Sequence, residues 1–481
     1  MRVANRNILV VGLARSGLAA ANFLLARGAR VTVTDIKSQE ALQEPISQLK
    51  GSARLSLGGH RLEDFLKADM IVLSPGVTTQ LPELREAARQ EIPIYSEVEL
   101  AYRFLQGRII GVTGSNGKTT TTTLIGELLR KGGRPCVVAG NIGSPLIHSV
   151  EAPDSSHSPA PTFVVELSSF QLETIERFRC NIALLLNITP DHQDRYRRFE
   201  DYIQAKKRIF LRQTSDDFAV LNADNPHTLK MRDQLHSSVF LFSRKQSLEE
   251  GVFVRKGMIQ ANWSGRRLEL MSIQEIRLPG SHNLENVLAA VTVGLLLGLE
   301  PQSMVQTFQS FAGVEHRLEL VREWNGVSFY NDSKATNIDS ASQALKAFTE
   351  PLLLIMGGQD KGGDFESLRP LISGRVKLLI LIGSAGDRIA GQLQGAAEMA
   401  RARDMKEAVG LAQQGSIPGD VVLLSPGCAS FDMFDDFEHR GRVFKQAVGE
   451  LGSVPAPSEG SQEPTSQDRD EPEHPSREHT G

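Results

Sequence analysis

The chain has 481 residues, and its 53 lysines and arginines against 57 aspartates and glutamates give a formal net charge of −4 at pH 7. This length predicts about three domains, and the near balance of charge argues against nucleic acid as a partner. Three scattered cysteines exclude a disulfide framework and a structural zinc site. Since no apolar stretch approaches a membrane span and the start lacks a signal-peptide layout, we expect a cytoplasmic protein with no membrane partner.

The first hundred residues predict a β-α-β unit, in which short buried strands alternate with a helix that ends at Gly28. Ser16 stands where it can cap that helix. A further strand follows and ends in Ser74-Pro75-Gly76. The predicted strands cover 8–12, 31–34 and 69–74, and the predicted helix covers 17–27.

The turn after the first strand carries part of a dinucleotide-binding fingerprint. Gly12 and Gly17 fit it, but Ala14 replaces the middle glycine, where a methyl group crowds a close pyrophosphate. Asp35 stands where an acid that binds a sugar would be. The turn is weak evidence for NAD, and it fits equally a nucleotide in a looser pose or a purely structural role.

A glycine loop in the middle of the chain is the strongest functional signal. Thr113-Gly114-Ser115-Asn116-Gly117-Lys118-Thr119 follows an apolar strand over 108–112 and precedes a helix. Its glycines let backbone N–H groups approach an anion, Lys118 adds a positive charge, and the Thr119 hydroxyl can ligate Mg²⁺. Val112 occupies the slot of the usual first glycine. The pattern therefore predicts a variant loop that binds the phosphates of ATP.

Two further strands end in polar residues near this loop. Glu166 closes a strand over 162–166 and is well placed to bind Mg²⁺ at a sheet edge. Asp191 and His192 follow a strand over 180–187. A lone histidine is usually structural, but this position favours a functional role.

Three other segments are less specific. The basic stretch over 204–210 is by itself typical of a solvated helix face. Asn283 and Asn286 begin a helix over 283–297, where they can bind an adenine edge or cap the helix. The loop over 330–337 brings an acid, a lysine and hydroxyls together, which suggests that it handles an anionic ligand.

The remaining patterns define the domain organisation. Turn-punctuated runs over 252–270 predict antiparallel strands, and apolar strands separated by helix-length segments predict a parallel sheet near the C-terminus. These later strands cover 327–330, 352–356, 376–382 and 420–425. We predict domains at 1–106, 107–313 and 314–453. We also predict a disordered tail at 454–481, because its few bulky apolar residues cannot bury enough surface to offset the entropy lost on ordering.

Taken together, these motifs resemble the Mur ligase family, the ATP-dependent amide-forming enzymes of peptidoglycan assembly. The resemblance covers the chain to about Gly452. The segments that carry it are the glycine loop, Glu166-Leu-Ser-Ser, Asp191-His192, His282-Asn283-x-x-Asn286, Glu315-His316-Arg317 and Asp332-Ser-Lys334-Ala-Thr336-Asn337.

The resemblance implies an α/β fold of three domains: a Rossmann-like domain that binds a UDP substrate, a central ATP-binding domain with a parallel sheet, and a Rossmann-like domain that binds an amino acid. Within the family, segments such as Gly357-Gly-Gln-Asp-Lys361 and Ser425-Pro-Gly-Cys-Ala-Ser430 favour UDP-N-acetylmuramoyl-L-alanine and D-glutamate as substrates. The implied cofactors are ATP and two Mg²⁺ ions, and we expect a monomer.

The resemblance also implies residue roles. The implied catalytic residues are Lys118, Glu166, His192 and Lys206, and the implied Mg²⁺ ligands are Thr119, Glu166, His192 and a carbamylated Lys206, although Lys207 is adjacent and the choice depends on aligning 205–209. The implied nucleotide contacts are Gly114, Ser115, Asn116, Gly117, Lys118, Thr119, Thr120, Asn283, Asn286, Arg317 and Asp332. The implied substrate contacts are Ser16, Asp35, Lys37 and Gly76 for the uracil nucleotide, Asn141 for the muramoyl-alanine part, Ser168, and Lys334, Thr336, Lys361, Ser430 and Phe437 for D-glutamate.

Three alternatives remain. Folylpolyglutamate synthase shares the phosphate loop and the third domain, but it normally lacks a separate nucleotide-sugar domain in front. A non-catalytic nucleotide-binding regulator would require the loss of Glu166, His192 or Lys206, and all three are present. An NAD-dependent dehydrogenase is disfavoured by Ala14.

Overall fold

The computed structural model describes residues 1–150, 160–192, 195–278, 280–311, 313–360 and 362–452. Lys361 and the predicted tail over 454–481 lie outside these residues. Three sheets, each with helices, follow one another along the described chain. This architecture confirms the predicted α/β fold.

The N-terminal sheet has the strand order β3-β2-β1-β4-β5 in the described residues, and all of its pairings are parallel. Its strands are β1 (Asn7–Val11), β2 (Arg30–Asp35), β3 (Arg54–Leu57), β4 (Met70–Leu73) and β5 (Ile94–Ser96). Its helices are α1 (Arg15–Ala26), α2 (Gln43–Ser47), α3 (Leu62–Leu66), α4 (Pro82–Arg89) and α5 (Glu97–Tyr102).

The prediction that Ser16 caps α1 is wrong. The helix begins at Arg15, its N-cap residue is Ala14, and no side chain caps it. The helix starts early because the turn after β1 is tight: a Cβ atom on Gly17 would lie 1.9 Å from the carbonyl oxygen of Gly12. Ser16 therefore lies in the first helical turn.

The central sheet runs β14-β13-β12-β11-β10-β9-β6-β8-β7 over the described residues. It is parallel from β7 to β12, and β12, β13 and β14 form the predicted antiparallel segment. Its strands are β6 (Arg108–Thr113), β7 (Cys136–Gly140), β8 (Thr162–Glu166), β9 (Ile182–Leu185), β10 (Phe218–Asn222), β11 (Ser238–Ser243), β12 (Gly251–Arg255), β13 (Met258–Trp263) and β14 (Arg266–Ser272). Its helices are α6 (Lys118–Lys131), α7 (Ser169–Leu172), α8 (Phe199–Lys207), α9 (Pro226–Leu229), α10 (Ser281–Leu296) and α11 (Pro301–Ser310).

The position of β6 between β8 and β9 sets up the site. Because the three strands are parallel, the loops that follow them emerge at the same edge of the sheet. The strands on either side of the phosphate loop are buried on both faces. The predicted proximity of Glu166 to the phosphate-loop strand is therefore confirmed.

The C-terminal sheet runs β15-β16-β20-β17-β18-β19 in the part of the chain described. Its strands are β15 (Glu319–Trp324), β16 (Val327–Asn331), β17 (Leu352–Gly357), β18 (Val376–Ile382), β19 (Glu398–Arg401) and β20 (Val421–Leu424). Its helices are α12 (Ile338–Lys346), α13 (Arg369–Ile372), α14 (Gly386–Gln392), α15 (Met405–Gly415) and α16 (Phe437–Gly449).

The four strands predicted for the third sheet pair in parallel, and the structure adds a strand that was not predicted, β15, which pairs antiparallel with β16 at one edge. The cause is the two-residue turn Asn325-Gly326, in which both residues have positive φ, 50° and 76°. An Asn-Gly pair of this kind closes a hairpin. The other described pairings of this sheet are parallel, as predicted.

Two buried carboxylates at the start of α5 join the N-terminal unit to the central one. Glu97 Oε1 accepts a hydrogen bond from the backbone N–H of Ile147 at 2.6 Å. Glu99 accepts from the backbone N–H groups of 176–178 at 2.9 to 3.1 Å. These bonds satisfy both carboxylates across the boundary, apart from the second oxygen of Glu97. Among the helices described, none combines the length and apolar character that crossing a membrane requires.

Candidate active site

The glycine loop adopts the predicted strand–loop–helix form between β6 and α6. Segments that follow β9 hold it in place: Asn187 Oδ1 accepts from the backbone N–H of Asn116 at 2.8 Å, and the Asn187 carbonyl accepts from the N–H of Ser115 at 2.9 Å. Ser115 Oγ also contacts the hydroxyl of Tyr202 at 3.1 Å. The loop is therefore fixed by partners on two other elements.

The backbone conformation and the crowding at position 117 require glycine. Its φ is +82°, and an added Cβ atom would lie 2.3 Å from Asn286 Oδ1. Asn286 Nδ2 donates to Asn283 Oδ1 at 3.1 Å, so both amides lie together against the loop. The N-cap residue of α10 is Gly280, with no side-chain cap. Neither amide is therefore the N-cap residue of α10.

Lys118 and Lys206 converge on the loop. Lys118 Nζ donates to the carbonyls of Gly114 and Ser115 at 2.9 and 2.8 Å, and Lys206 Nζ donates to that of Gly114 at 2.8 Å. Lys206 is 1% exposed, so it does not belong to a solvated helix face. Burial, and then the charge of Lys118, hold the pKa of Lys206 well below its ordinary value.

Glu166 provides a buried carboxylate beside the loop. Its Oε1 accepts from Asn141 Nδ2 at 2.9 Å, and its Oε2 has no hydrogen-bond partner within the described residues. Burial by itself raises the pKa of Glu166, but the charges of Lys334 and Lys118, with smaller hydrogen-bond effects, outweigh it and leave the pKa below its ordinary value. The carboxylate is thus held ionised between the central and C-terminal units.

Other predicted residues surround this centre. Thr119 and Thr120 are buried at the start of α6. His192 has a positive φ of 53°, and its ring packs on Phe170 with 4.7 Å between centroids. Ser168 caps α7 through the backbone N–H of Gln171. Its hydroxyl therefore has a structural partner in addition to any ligand.

Of the predicted D-glutamate contacts in the C-terminal unit, Lys334 faces Glu166 and lies beside Phe437, while Lys361 lies outside the described residues. Lys334 Nζ lies 5.1 Å from the centroid of the Phe437 ring, and burial lowers the pKa of Lys334 to about 8. Ser430 is buried, and Thr336 lies two residues after Lys334.

A pocket between the central and C-terminal units collects the predicted nucleotide contacts. Its volume is about 30 Å³, and its lining includes Asn116, Gly117, Asn286, Arg317 and Asp332. Burial raises the pKa of Asp332 to about 7, although the charge of Arg317 opposes it.

The predicted uracil-nucleotide contacts lie apart from this centre, at the carboxyl edge of the N-terminal sheet. Asp35 ends β2, and its oxygens accept from the backbone N–H groups of Leu13 and Lys37 at 2.8 and 3.0 Å. The Lys37 side chain and Gly76 are exposed.

Sequence reasoning missed two residues that assemble the site. Arg440 is completely buried and donates to Ser333 and to the carbonyls of Cys428 and Ala429. Asp339 accepts from Asn116 and, at 3.1 Å, from Thr189 Oγ1, so it links α12 to the phosphate loop. Neither residue lies in one of the motifs described above. The signal that the sequence offered at each position was a charged residue that no motif explained.

Comparisons with known proteins match all three units. The chain matches the Mur ligase MurD-like N-terminal domain over 6–96, the Mur ligase middle domain over 112–294, and the Mur ligase glutamate ligase domain over 316–428. The UDP-N-acetylmuramoylalanine–D-glutamate ligase of Acidobacterium capsulatum is 48% identical over 93% of this chain and 97% of its own length. The protein of the same name from Koribacter versatilis is 46% identical, with 94% and 99% covered.

Solved structures share the fold. The pseudomurein peptide ligase type C of Methanothermus fervidus has a TM-score of 0.57 at 17% identity, with 93% of this chain and 100% of that chain covered. The UDP-N-acetylmuramate-alanine ligase of Thermotoga maritima has a TM-score of 0.57 at 18% identity and the same coverage. At these identities the similarity shows a common three-domain architecture.

Proposed function

The chain belongs to the Mur ligase family, and we propose that it is a UDP-N-acetylmuramoylalanine–D-glutamate ligase, an ATP-dependent enzyme of peptidoglycan precursor synthesis. The reaction joins the alanine carboxylate of UDP-N-acetylmuramoyl-L-alanine to the amine of D-glutamate. The observation that carries the proposal is the contact of the phosphate loop with the C-terminal unit, in which the Asn116 amide donates to Asp339 and accepts from Ser340 at 2.7 Å, because it brings the proposed ATP site against the unit proposed to hold D-glutamate. The names of relatives matching nearly the full length support D-glutamate as the amino acid.

The ATP site is proposed at the phosphate loop and the pocket beside it. Backbone N–H groups of the loop and the start of α6 favour phosphate binding, and Lys118 supplies a positive charge. Asn283 and Asn286, on the same face of α10, and Arg317 and Asp332, across the pocket, are proposed to contact the nucleotide. The proposed route for nucleotide entry is a separation of the C-terminal unit from the central one.

The residues around Glu166 fit Mg²⁺. Its Oε2 atom is buried without a hydrogen-bond partner in the described chain, and the Thr119 hydroxyl lies close enough to lower the pKa of the same carboxylate. Oxygen atoms of this kind are the ligands that Mg²⁺ prefers. We propose that Thr119, Glu166, His192 and a carbamylated Lys206 hold two Mg²⁺ ions, which when bound screen the phosphate charges of ATP.

Carbamylation of Lys206 needs a neutral amine, because only the free lone pair attacks CO₂. The depressed pKa of Lys206 favours that form. The ammonium first loses one proton; the neutral amine then attacks the carbon of CO₂, a C–O π bond opens, and a second proton leaves the nitrogen, so that a cation is replaced by a carbamate anion. This exchange removes the repulsion between Lys206 and Lys118.

The proposed chemistry has two steps. The alanine carboxylate attacks the γ-phosphorus of ATP, the bond to the β-phosphate oxygen breaks, and ADP and an acyl phosphate result. The amine of D-glutamate then attacks the acyl carbon, and the tetrahedral intermediate expels inorganic phosphate and leaves an amide. No protein nucleophile is required, so the chain contributes alignment, charge neutralisation and exclusion of water.

The C-terminal unit is proposed to hold D-glutamate. Lys334 is proposed as the cation that binds a substrate carboxylate. The Phe437 ring covers the Lys334 ammonium, with 5.1 Å between Nζ and the ring centroid. Ser430, Thr336 and Lys361 are proposed as further contacts. The uracil nucleotide is proposed to lie against Ser16, Asp35, Lys37 and Gly76, with Asn141 and Ser168 contacting the rest of the acceptor substrate. We also propose that the protein acts as a monomer in the cytoplasm, where three widely spaced cysteines suit a reducing environment.

The test is release of inorganic phosphate by the purified chain with ATP, Mg²⁺ and UDP-N-acetylmuramoyl-L-alanine. D-Glutamate, L-glutamate, L-lysine and meso-diaminopimelate are compared as the second substrate. We expect turnover with D-glutamate and none with the others, with Glu166→Gln as an inactive control. Turnover with another amino acid, or with none of them, contradicts the proposal.

A further inference from the structure

A large cleft lies between the N-terminal and central units, away from the phosphate loop. Its volume is about 910 Å³, within the range of about 300 to 1,000 Å³ typical of small-molecule sites. One wall comes from the segment after β4 and from α4. The other wall comes from the outer face of α8 and the segments that flank it.

The helix α8 separates this cleft from the active site. Lys206 points inward to the Gly114 carbonyl, whereas Gln204 and Lys207 line the cleft. Successive residues of a helix project about 100° apart, so neighbouring lysines face different spaces. None of the proposed substrate or nucleotide contacts lines the cleft.

The cleft carries an excess of positive charge. Arg85, Arg197, Lys207 and Arg208 line it, and no carboxylate of the described chain forms an ion pair with any of them. Arg85 donates to Gln80, Lys207 donates to Gln234, and Arg208 donates to the carbonyls of Leu172 and Ile175. These neutral partners fix the side chains without cancelling their charge.

The two carboxylates of the cleft are already engaged. Glu173 accepts from Arg195 at 2.8 Å, from the Tyr196 hydroxyl at 2.5 Å and from Thr79 at 2.9 Å. Asp201 pairs with Arg198 at 2.8 Å. The walls therefore present more cationic than anionic groups to a ligand.

One side of the cleft is tied to the catalytic rim. Arg195 donates to the Pro75 carbonyl at 3.1 Å and to the Glu173 carboxylate. Glu173 also accepts from the Thr79 hydroxyl, so one hydrogen-bonded cluster spans both units. The segment that carries Arg195 begins at His192. A ligand in the cleft would contact both units next to this cluster.

We propose that this interdomain cleft is a second ligand site, which binds a small molecule with a dense anionic group such as a diphosphate. Arg85 from the N-terminal unit and Arg197 from the central unit hold the anion from opposite walls. Arg85 uses one of its guanidinium nitrogens on Gln80, and the remaining donors of the two guanidinium groups can form charge-assisted hydrogen bonds with phosphate oxygens. Binding there would fix the two units relative to each other without using any residue of the phosphate loop.

The test is calorimetric titration of the full chain with inorganic pyrophosphate in magnesium-free buffer. No nucleotide is added, because ADP and UDP carry the diphosphate group that the cleft is proposed to bind. We expect pyrophosphate to bind at the cleft of the unmodified protein, and we expect at least about tenfold weaker binding at that site in the double variant Arg85→Gln/Arg197→Gln, since two charge-assisted contacts are lost.

The matched control is Arg89→Gln/Arg177→Gln, which removes the same charge from exposed positions of the same two units outside the cleft. We expect it to bind like the unmodified protein. Absence of a site in the unmodified protein, or an equal change in both double variants, overturns the proposal. Any pyrophosphate site at the phosphate loop is common to all three proteins, so the difference between the two double variants isolates the cleft. If the first double variant does not fold, Arg197→Gln alone takes its place.

Discussion

Lys118 and Lys206 donate to the same carbonyl oxygen, that of Gly114, at 2.9 and 2.8 Å. Two buried ammonium groups that share one acceptor repel each other, and burial removes the water that would screen them. The pKa of Lys206 is lowered by this burial and by the charge of Lys118. This arrangement therefore favours the loss of one of its two positive charges.

The first prediction concerns the role of Lys206. Lys206→Ala should lower the rate of phosphate release by at least about 100-fold, because it removes a group proposed to ligate metal. Short carboxylic acids should restore part of this rate by replacing the carbamate. Steady-state assays with and without added formate or acetate measure both effects.

Lys207→Ala is the matched control, because the Lys207 ammonium bonds to Gln234 on the other side of α8. It should retain most of the ligation rate. Full activity of Lys206→Ala, or equal losses in both variants, would contradict the assignment of the carbamate to Lys206.

The second prediction concerns the docking of the C-terminal unit. Asp339 accepts hydrogen bonds from Asn116 and Thr189 of the central unit. Asp339→Ala removes both, each worth about 1 kcal/mol, so the two units should separate more often. Small-angle scattering should show a larger radius of gyration than for the unmodified protein, and the KM for ATP should rise.

Asp387→Ala serves as the control, since this exposed residue of the same unit pairs with Arg401, which belongs to that unit as well. Its scattering curve should match that of the unmodified protein. Identical curves for Asp339→Ala and the unmodified protein would show that these bonds do not hold the units together.

The third prediction is a pH dependence of stability from Glu97. Burial raises the pKa of this carboxyl from 4.5 to about 7, so between these values the folded chain binds more protons than the unfolded chain. Stability is therefore lost as pH rises from about 4.5 to 7, by about 1.4 kcal/mol per pKa unit, and the loss is complete above 7. Glu97→Gln should raise the melting temperature at pH 8 and have little effect at pH 5.

Melting curves by scanning calorimetry at pH 5, 6, 7 and 8 measure this difference. Glu249→Gln removes an exposed carboxylate instead, and its difference from the unmodified protein should not follow this trend. A constant difference between Glu97→Gln and the unmodified protein across the range would contradict the raised pKa.

The fourth prediction concerns Arg440 as a positioning residue. Its guanidinium ties the segment of Ser333 and Lys334 to the segment that ends at Ser430. Arg440→Gln removes guanidinium donors from the buried carbonyls of Ser333 and Cys428, whereas the Ala429 carbonyl keeps the Gln359 N–H, and a buried acceptor left unsatisfied costs about 1 to 3 kcal/mol. The melting temperature should fall, and the KM for D-glutamate should rise by more than the KM for ATP.

Arg440→Lys should recover part of the D-glutamate KM, because one donor remains. Arg442→Gln changes an exposed arginine of the same helix and should alter neither constant. Equal increases in the KM for both substrates would point to a general loss of structure rather than to positioning.

The sequence by itself determined the elements whose signals are local. The strand, glycine loop and helix around Lys118 follow from residues adjacent in the chain, and parallel β6, β8 and β9 placed Glu166 beside the loop as expected. The Asn325-Gly326 turn is an equally local signal for the antiparallel edge, although the strand that precedes it, β15, was not among the predicted strands. Family resemblance, rather than pattern, distinguished Lys206 from a solvated lysine.

Only the tertiary structure decided how distant segments meet. Asn116 and Asp339 are separated by 223 positions, and Arg440 and Ser333 by 107. No periodicity or turn preference links such residues, since their contact depends on the order of strands in two sheets and on the way the units pack. The same packing turned Lys206 inward to the phosphate loop and Lys207 outward to the cleft, and it thereby gave two neighbouring identical side chains different environments.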